Sequence, residues 1–118
     1  MTTKEITICG RQVQVAYCYA TELSFYKLAG VPIEKTDTSN PEHLFALILS
    51  AMLSYYQSRD EESPIKDTDL LYKASPEEII DAFRTISLLR AEWYKIPKGA
   101  ETKETKETKS EGDKEKNS

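Results

Sequence analysis

Residues 41–57, Pro-Glu-His-Leu-Phe-Ala-Leu-Ile-Leu-Ser-Ala-Met-Leu-Ser-Tyr-Tyr-Gln, constrain the fold more than any other stretch of the chain. Asn40 before Pro41 marks a helix start. The asparagine side chain accepts from an early backbone N–H, and proline fills a first-turn position whose N–H has no helical partner. The spacing predicts a helix running to about Tyr56 or Gln57. Leu44, Leu47, Ile48, Ala51, Met52 and Tyr55 fall on one face, while Phe45, Leu49, Leu53 and Tyr56 fill much of the rest. A helix apolar nearly all round must be covered on more than one side. The other elements are therefore expected to wrap it, with any uncovered part left for another copy or a client protein.

The elements available for that task can be placed from pattern alone. Residues 4–18 alternate apolar and polar in two runs, which predicts a β-hairpin. Gly10-Arg11 suits a type II′ turn, which sets Ile8 opposite Val13 and Ile6 opposite Val15 with all four on one face. Residues 20–29 predict a short helix with a stripe of Leu23, Tyr26 or Phe25, and Leu28, capped by Gly30 and stopped by Pro32. A polar loop at 33–39 leads to the apolar helix, and a charged loop follows at 58–65. A short helix at 68–74 is expected to start from Asp67 and to use Leu70 and Leu71 as its apolar pair. Ser75-Pro76-Glu77-Glu78 is a capping box with proline in the first turn. It opens a last helix to about Lys95, with Ile79, Ala82, Phe83, Ile86, Leu89 or Arg90, and Trp93 at helical spacing. Pro97 ends it.

The chain has 118 residues, enough for one domain with its own core. Residues 98–118 contain no Val, Ile, Leu, Met or aromatic side chain and balance six Lys against six Asp or Glu. Glu-Thr-Lys repeats in tandem from Glu101 to Lys109. A helix would set like charges three residues apart, and with nothing to bury, this stretch is expected to be a disordered tail. The expected organisation is an α+β domain over 1–97, a hairpin packed on three to four helices, followed by the tail at 98–118. The net charge of -4 then belongs to the domain. An acidic body lacks the cationic surface that nucleic-acid binding needs, and no run of about 18 apolar residues is present to span a membrane. With no apolar signal stretch behind Met1, a cytoplasmic location is the default expectation.

Motifs of catalysis are missing from the pattern. His43, the single histidine, falls in the first turn of the apolar helix, where the helix dipole disfavours its protonated form. A surface or packing role is expected. Asp60, Glu61, Glu62, Asp67 and Asp69 lack the glycine and spacing of a calcium loop. Cys9 and Cys18 have no metal-ligand spacing. They are expected at opposite ends of the hairpin, too far apart to bridge at about 3.3 Å per residue. The glycines form no phosphate-binding pattern. No catalytic residue, metal site or cofactor is therefore expected. A small-molecule enzyme would need a deep pocket with perturbed ionisable groups. A regulatory protein binding nucleic acid or a transcription factor is the alternative, but Arg84 and Arg90 are isolated and form no basic recognition helix.

Taken as a whole, the order of elements has a parallel. A Gly-turn hairpin, Ile8-Cys9-Gly10-Arg11-Gln12-Val13, leads into Tyr19-Ala20-Thr21-Glu22-Leu23-Ser24-Phe25-Tyr26-Lys27-Leu28-Ala29-Gly30-Val31. Asn40-Pro41 then opens the apolar helix ending in Leu53-Ser54-Tyr55-Tyr56. Pro64-Ile65-Lys66-Asp67-Thr68-Asp69-Leu70-Leu71 and Ser75-Pro76-Glu77-Glu78-Ile79-Ile80-Asp81-Ala82 follow. Over about residues 4–96 this resembles the tail assembly chaperones of long-tailed bacteriophages and prophages, with Phe25-Tyr26-Lys27 standing where that family often carries acidic residues. The resemblance implies a non-catalytic protein of the bacterial host cytoplasm. It would coat apolar helical stretches of the tape-measure protein, self-associate, and help recruit the tail tube protein. Tyr and Trp dominate interface hot spots. The residues expected to contact partners are Leu44, Phe45, Leu49, Met52, Tyr55, Tyr56, Trp93 and Tyr94.

Overall fold

The computed structural model describes residues 1–95. The expected stop at Pro97 and the expected disordered tail at 98–118 lie outside the described residues. Strands β1 (Thr2–Ile8) and β2 (Arg11–Tyr17) form a two-stranded antiparallel hairpin. It packs against four helices: α1 (Tyr19–Ala29), α2 (Pro41–Gln57), α3 (Asp67–Lys73) and α4 (Pro76–Trp93). The α+β architecture expected from the sequence is the one observed. One turn of 3-10 helix, Ile33–Lys35, interrupts the loop before α2.

Helix α2 is the axis of the molecule. It contacts β2, α1, α4 and α3. Ala46, Leu47, Ile48, Ser50, Ala51, Met52 and Ser54 are buried along it. Asn40 caps it as expected, its side chain accepting from the Glu42 N–H at 2.9 Å. The small residues let α1 approach closely: Thr21 Oγ1 lies 2.7 Å from Ser54 Oγ and 3.2 Å from the Ala16 carbonyl oxygen. That hydroxyl contact ties α1 to both α2 and β2 inside an otherwise apolar interior.

The hairpin differs from expectation in its turn. Cys9 and Gly10 are the corner residues, with φ of 54° and 73°, as a type I′ turn requires. Ile8 pairs with Arg11 and Ile6 with Val13. The register is thus offset by two residues from the expected one. Because side chains alternate with period two, the offset leaves Ile6, Ile8, Val13 and Val15 on the same face, and all four are buried. A non-glycine residue with positive φ costs about 1–2 kcal/mol, and the structure shows what offsets it. Both corner N–H groups donate to the Glu78 carboxylate, Cys9 at 3.0 Å and Gly10 at 2.9 Å. The Cys9 thiol donates to the Asp69 carbonyl at 3.3 Å. Burial first, then the nearby Glu78 and Asp69 carboxylates, raise the Cys9 thiol above its ordinary pKa, so it stays protonated and a poor nucleophile. Both cysteines are free.

Two helices depart from expectation for identifiable reasons. In α1 the buried residues are Thr21 and Phe25. Of the expected stripe, Phe25 is the alternative that is buried, in place of Tyr26, while Leu23 and Leu28 are exposed along with Tyr26. The hydroxyl partners of Thr21 turn a polar residue inward and rotate the apolar stripe out. In α3 the cap is Lys66, not Asp67, because the Asp69 carboxylate accepts from the Lys66 N–H at 3.0 Å. Leu70 is buried but Leu71 is 59% exposed. Helix α4 begins with the expected capping box. The Ser75 hydroxyl accepts from the Glu78 N–H, and Glu78 accepts from the Ser75 N–H at 3.1 Å. Its last helical residue is Trp93, two short of the expected end.

Glu78 therefore serves two structures at once, the start of α4 and the corner of the hairpin. Hydrogen bonds from the Ser75, Gly10 and Cys9 N–H groups hold its carboxyl below the ordinary value of 4.5. A depressed folded pKa contributes stability that is present above the unfolded value and is lost as pH falls through the folded value. Glu78→Ala is expected to lower stability by roughly 1–2 kcal/mol at neutral pH, measured as a reduced urea midpoint. The difference between variant and parent should shrink as the pH is taken below 4.5.

Candidate partner-binding surface

The residues expected to contact partners separate into distinct settings. Met52 is fully buried, which corrects the expectation that it meets a partner: it faces the centre of the core. Leu44 is half-buried and packs against that core. Tyr56 is half-buried and structural, since its hydroxyl accepts from the Gln14 N–H at 3.1 Å and so covers an open position on the outer edge of β2. Tyr55 stands edge-on to Tyr56 at 4.9 Å, with the Arg59 guanidinium 4.4 Å over its ring. Phe45 and Leu49 are half-buried on the outer side of α2.

The other elements wrap α2 so that the large apolar side chains on its outer side are half-buried and not fully exposed. The outer stripe of Phe45, Leu49 and Leu53 forms the floor of a trough. Leu28 of α1 stands at one wall and Leu71 of α3 at another. The trough comprises two adjoining depressions of about 420 and 180 Å³, which share Leu28, Leu49 and Asp67. Its rim is largely acidic, with Glu42, Glu61, Glu62 and Asp67. An apolar floor with a charged rim is the arrangement that receives the apolar face of an amphipathic helix. Leu28, Leu53 and Leu71 were not among the expected contact residues. The apolar count of α1 exceeds what one buried face can hold, and that excess was the available signal for Leu28.

A second apolar area lies at the α1 and α4 ends. Tyr19, Leu23 and Tyr26, spaced four and three apart, form an exposed ridge on α1. Trp93 stands edge-on to Tyr19, with ring centroids 5.5 Å apart. The Glu22 carboxylate accepts from the hydroxyls of Tyr17, at 2.8 Å, and Tyr94, at 2.6 Å. It thereby ties the end of α4 to α1 and β2. Desolvation and the adjoining Glu22 carboxylate push Tyr94 up to about 12 and raise Tyr17 further. Both hydroxyls are therefore protonated donors at neutral pH. Arg90 lies beside this cluster, 5.3 Å from the Tyr94 ring centroid, and reaches the Glu34 carboxylate at 3.5 Å.

Chemistry-bearing residues are not gathered in the same way. Nδ1 of His43 accepts from the Asp37 N–H at 2.9 Å, and its ring stands edge-on to Phe25. Among the described residues no group of three or more His, Cys, Asp or Glu side chains is placed to hold a metal ion. No helix among them is long and apolar enough to cross a membrane. No model of a known protein family, no curated protein and no solved structure matches the chain.

The division between core and surface is directly measurable. Met52→Ala is expected to cost about 2–5 kcal/mol, the range for emptying a buried site. Leu49→Ser, at a site open to solvent on one side, should cost less than half as much. Chemical denaturation of the two variants in one buffer gives the comparison.

Proposed function

We propose that this protein is a tail assembly chaperone of a long-tailed phage or prophage, which holds the tape-measure protein through the trough over α2. The observation that carries the reading is the trough itself: an apolar floor of Phe45, Leu49 and Leu53 between exposed Leu28 and Leu71. A tape-measure protein is long and helical, and its apolar stripes need cover before the tail tube forms around it. The order of elements that resembles this family supports the same reading.

Magnitudes say how such a client would bind. Leu28 and Leu71 are 54% and 59% exposed, so covering both gains on the order of 1–3 kcal/mol each. Micromolar affinity needs about 8 kcal/mol. The two leucines alone fall short, so a client helix must also seat against Phe45, Leu49 and Leu53. The aromatic ridge of Tyr19, Leu23 and Tyr26 then remains for self-association or for the tail tube protein. An acidic rim keeps the free protein soluble and selects client segments whose polar faces are basic.

Co-expression with a tape-measure protein of a long-tailed phage is expected to raise that protein's soluble yield several-fold and to give a complex on sizing. Leu49→Asp combined with Leu71→Asp should abolish both effects while the far-ultraviolet circular dichroism stays unchanged. Unaltered yield together with no complex would sink the reading.

A further inference from the structure

The two edges of the hairpin are treated differently. On β2, the outward N–H of Gln14 donates to the Tyr56 hydroxyl and the outward carbonyl of Ala16 accepts from Thr21. Gln14 pairs with Glu5. Since Gln14 points its N–H away from β1, this is a non-hydrogen-bonded pair, and Glu5 points its own backbone groups away from β2. The same parity applies to Thr3 and Thr7, opposite Ala16 and Gln12. Among the described residues no hydrogen bond reaches the N–H or C=O groups of Thr3, Glu5 or Thr7. The outer edge of β1 is thus, among the described residues, a row of unpaired donors and acceptors, a template for one more strand.

That edge borders a groove of about 500 Å³ between β1 and α4. Glu5, Glu77, Asp81 and Thr85 line it, together with the Glu78 carboxylate already engaged by the hairpin corner. Among the described residues no basic side chain lines it. Arg84 meets Asp81 from outside at 3.2 Å, which leaves the groove negative on balance. Helix α4 packs along β1, so a strand added there would lie over the acidic side of α4.

We propose that the outer edge of β1 is a strand-addition site for an extended partner segment with basic side chains at alternate positions. Backbone hydrogen bonds to Thr3, Glu5 and Thr7 give the affinity, and the carboxylates of the groove select the charge. A second copy of β1 is a poor occupant. Antiparallel pairing over Thr2–Ile8 sets Glu5 against Glu5, and like charges directly opposite are destabilising. Residues 101–109 of the chain fit poorly as well, because a Glu-Thr-Lys period of three sends lysines to alternate faces of a strand. The proposal is independent of the trough reading, which concerns a helical client on the far side of α2.

The test uses the full chain and a labelled, end-capped heptapeptide alternating lysine and valine, followed by fluorescence anisotropy. Saturable binding that weakens with salt is expected, with little binding of a glutamate–valine counterpart. Glu5→Pro removes one outward N–H without touching the β1–β2 ladder, and is expected to weaken binding about tenfold or more. Glu77→Lys with Asp81→Lys leaves the strand intact and should reverse the preference toward the glutamate peptide. Equal binding of both peptides, or unchanged binding by Glu5→Pro, would overturn the proposal. So would slow hydrogen exchange at Thr3, Glu5 and Thr7 in the free chain. That result means residues 96–118 or a second copy already occupy the edge, and sizing of Glu5→Pro against the parent tells those two apart.

Discussion

Everything in this fold answers the need to cover a seventeen-residue helix that has almost no polar face. Apolar surface left in water costs roughly 25 cal/mol for each Å². A helix such as α2 therefore recruits every other element of a short chain. The hairpin covers one side, α1 and α4 two others, and α3 closes part of the fourth. The covering elements have polar faces of their own, but their apolar residues outnumber the buried positions available. The surplus on α1, α3 and α4 is what reaches solvent. Exposure thus appears one layer out from the helix that causes it.

The parts of the fold that were legible in the sequence are those fixed by local chemistry. Asn40-Pro41 and Ser75-Pro76-Glu77-Glu78 located two helix starts to the residue, because capping involves groups within three positions of each other. The alternation in 4–18 placed Ile6, Ile8, Val13 and Val15 on the correct face even with the corner misplaced, since an offset of two preserves parity. The misreadings trace to contacts distant in sequence. The corner moved to Cys9-Gly10 where a carboxylate nearly seventy positions away receives both of its N–H groups. Thr21 turned inward because Ser54 and Ala16 supply polar partners, and that rotated Leu23 and Tyr26 outward. No periodicity within α1 contains that information.

The candidate contact surface was legible only in part for the same reason. Phe45, Leu49 and Leu53 line the trough, whereas Met52, about a quarter-turn round the helix from Leu53, is sealed in the core. A helix that is apolar all round does not announce which side its neighbours will leave uncovered. Tyr56 carries a further lesson. A tyrosine that looks like an interface anchor by composition can also serve as a hydrogen-bonding plug for a sheet edge, with its ring held edge-on to a neighbouring tyrosine.

The bond between Glu78 and the hairpin corner has a bearing on how the chain is made. A lone two-stranded hairpin is marginal in water, and here its corner holds an unfavourable conformation until a residue late in the sequence arrives. During synthesis the first seventeen residues emerge without their clasp. They must wait, through the making of three helices, for the start of the fourth. Strands made three helices earlier are thus locked only when the first turn of α4 has been made.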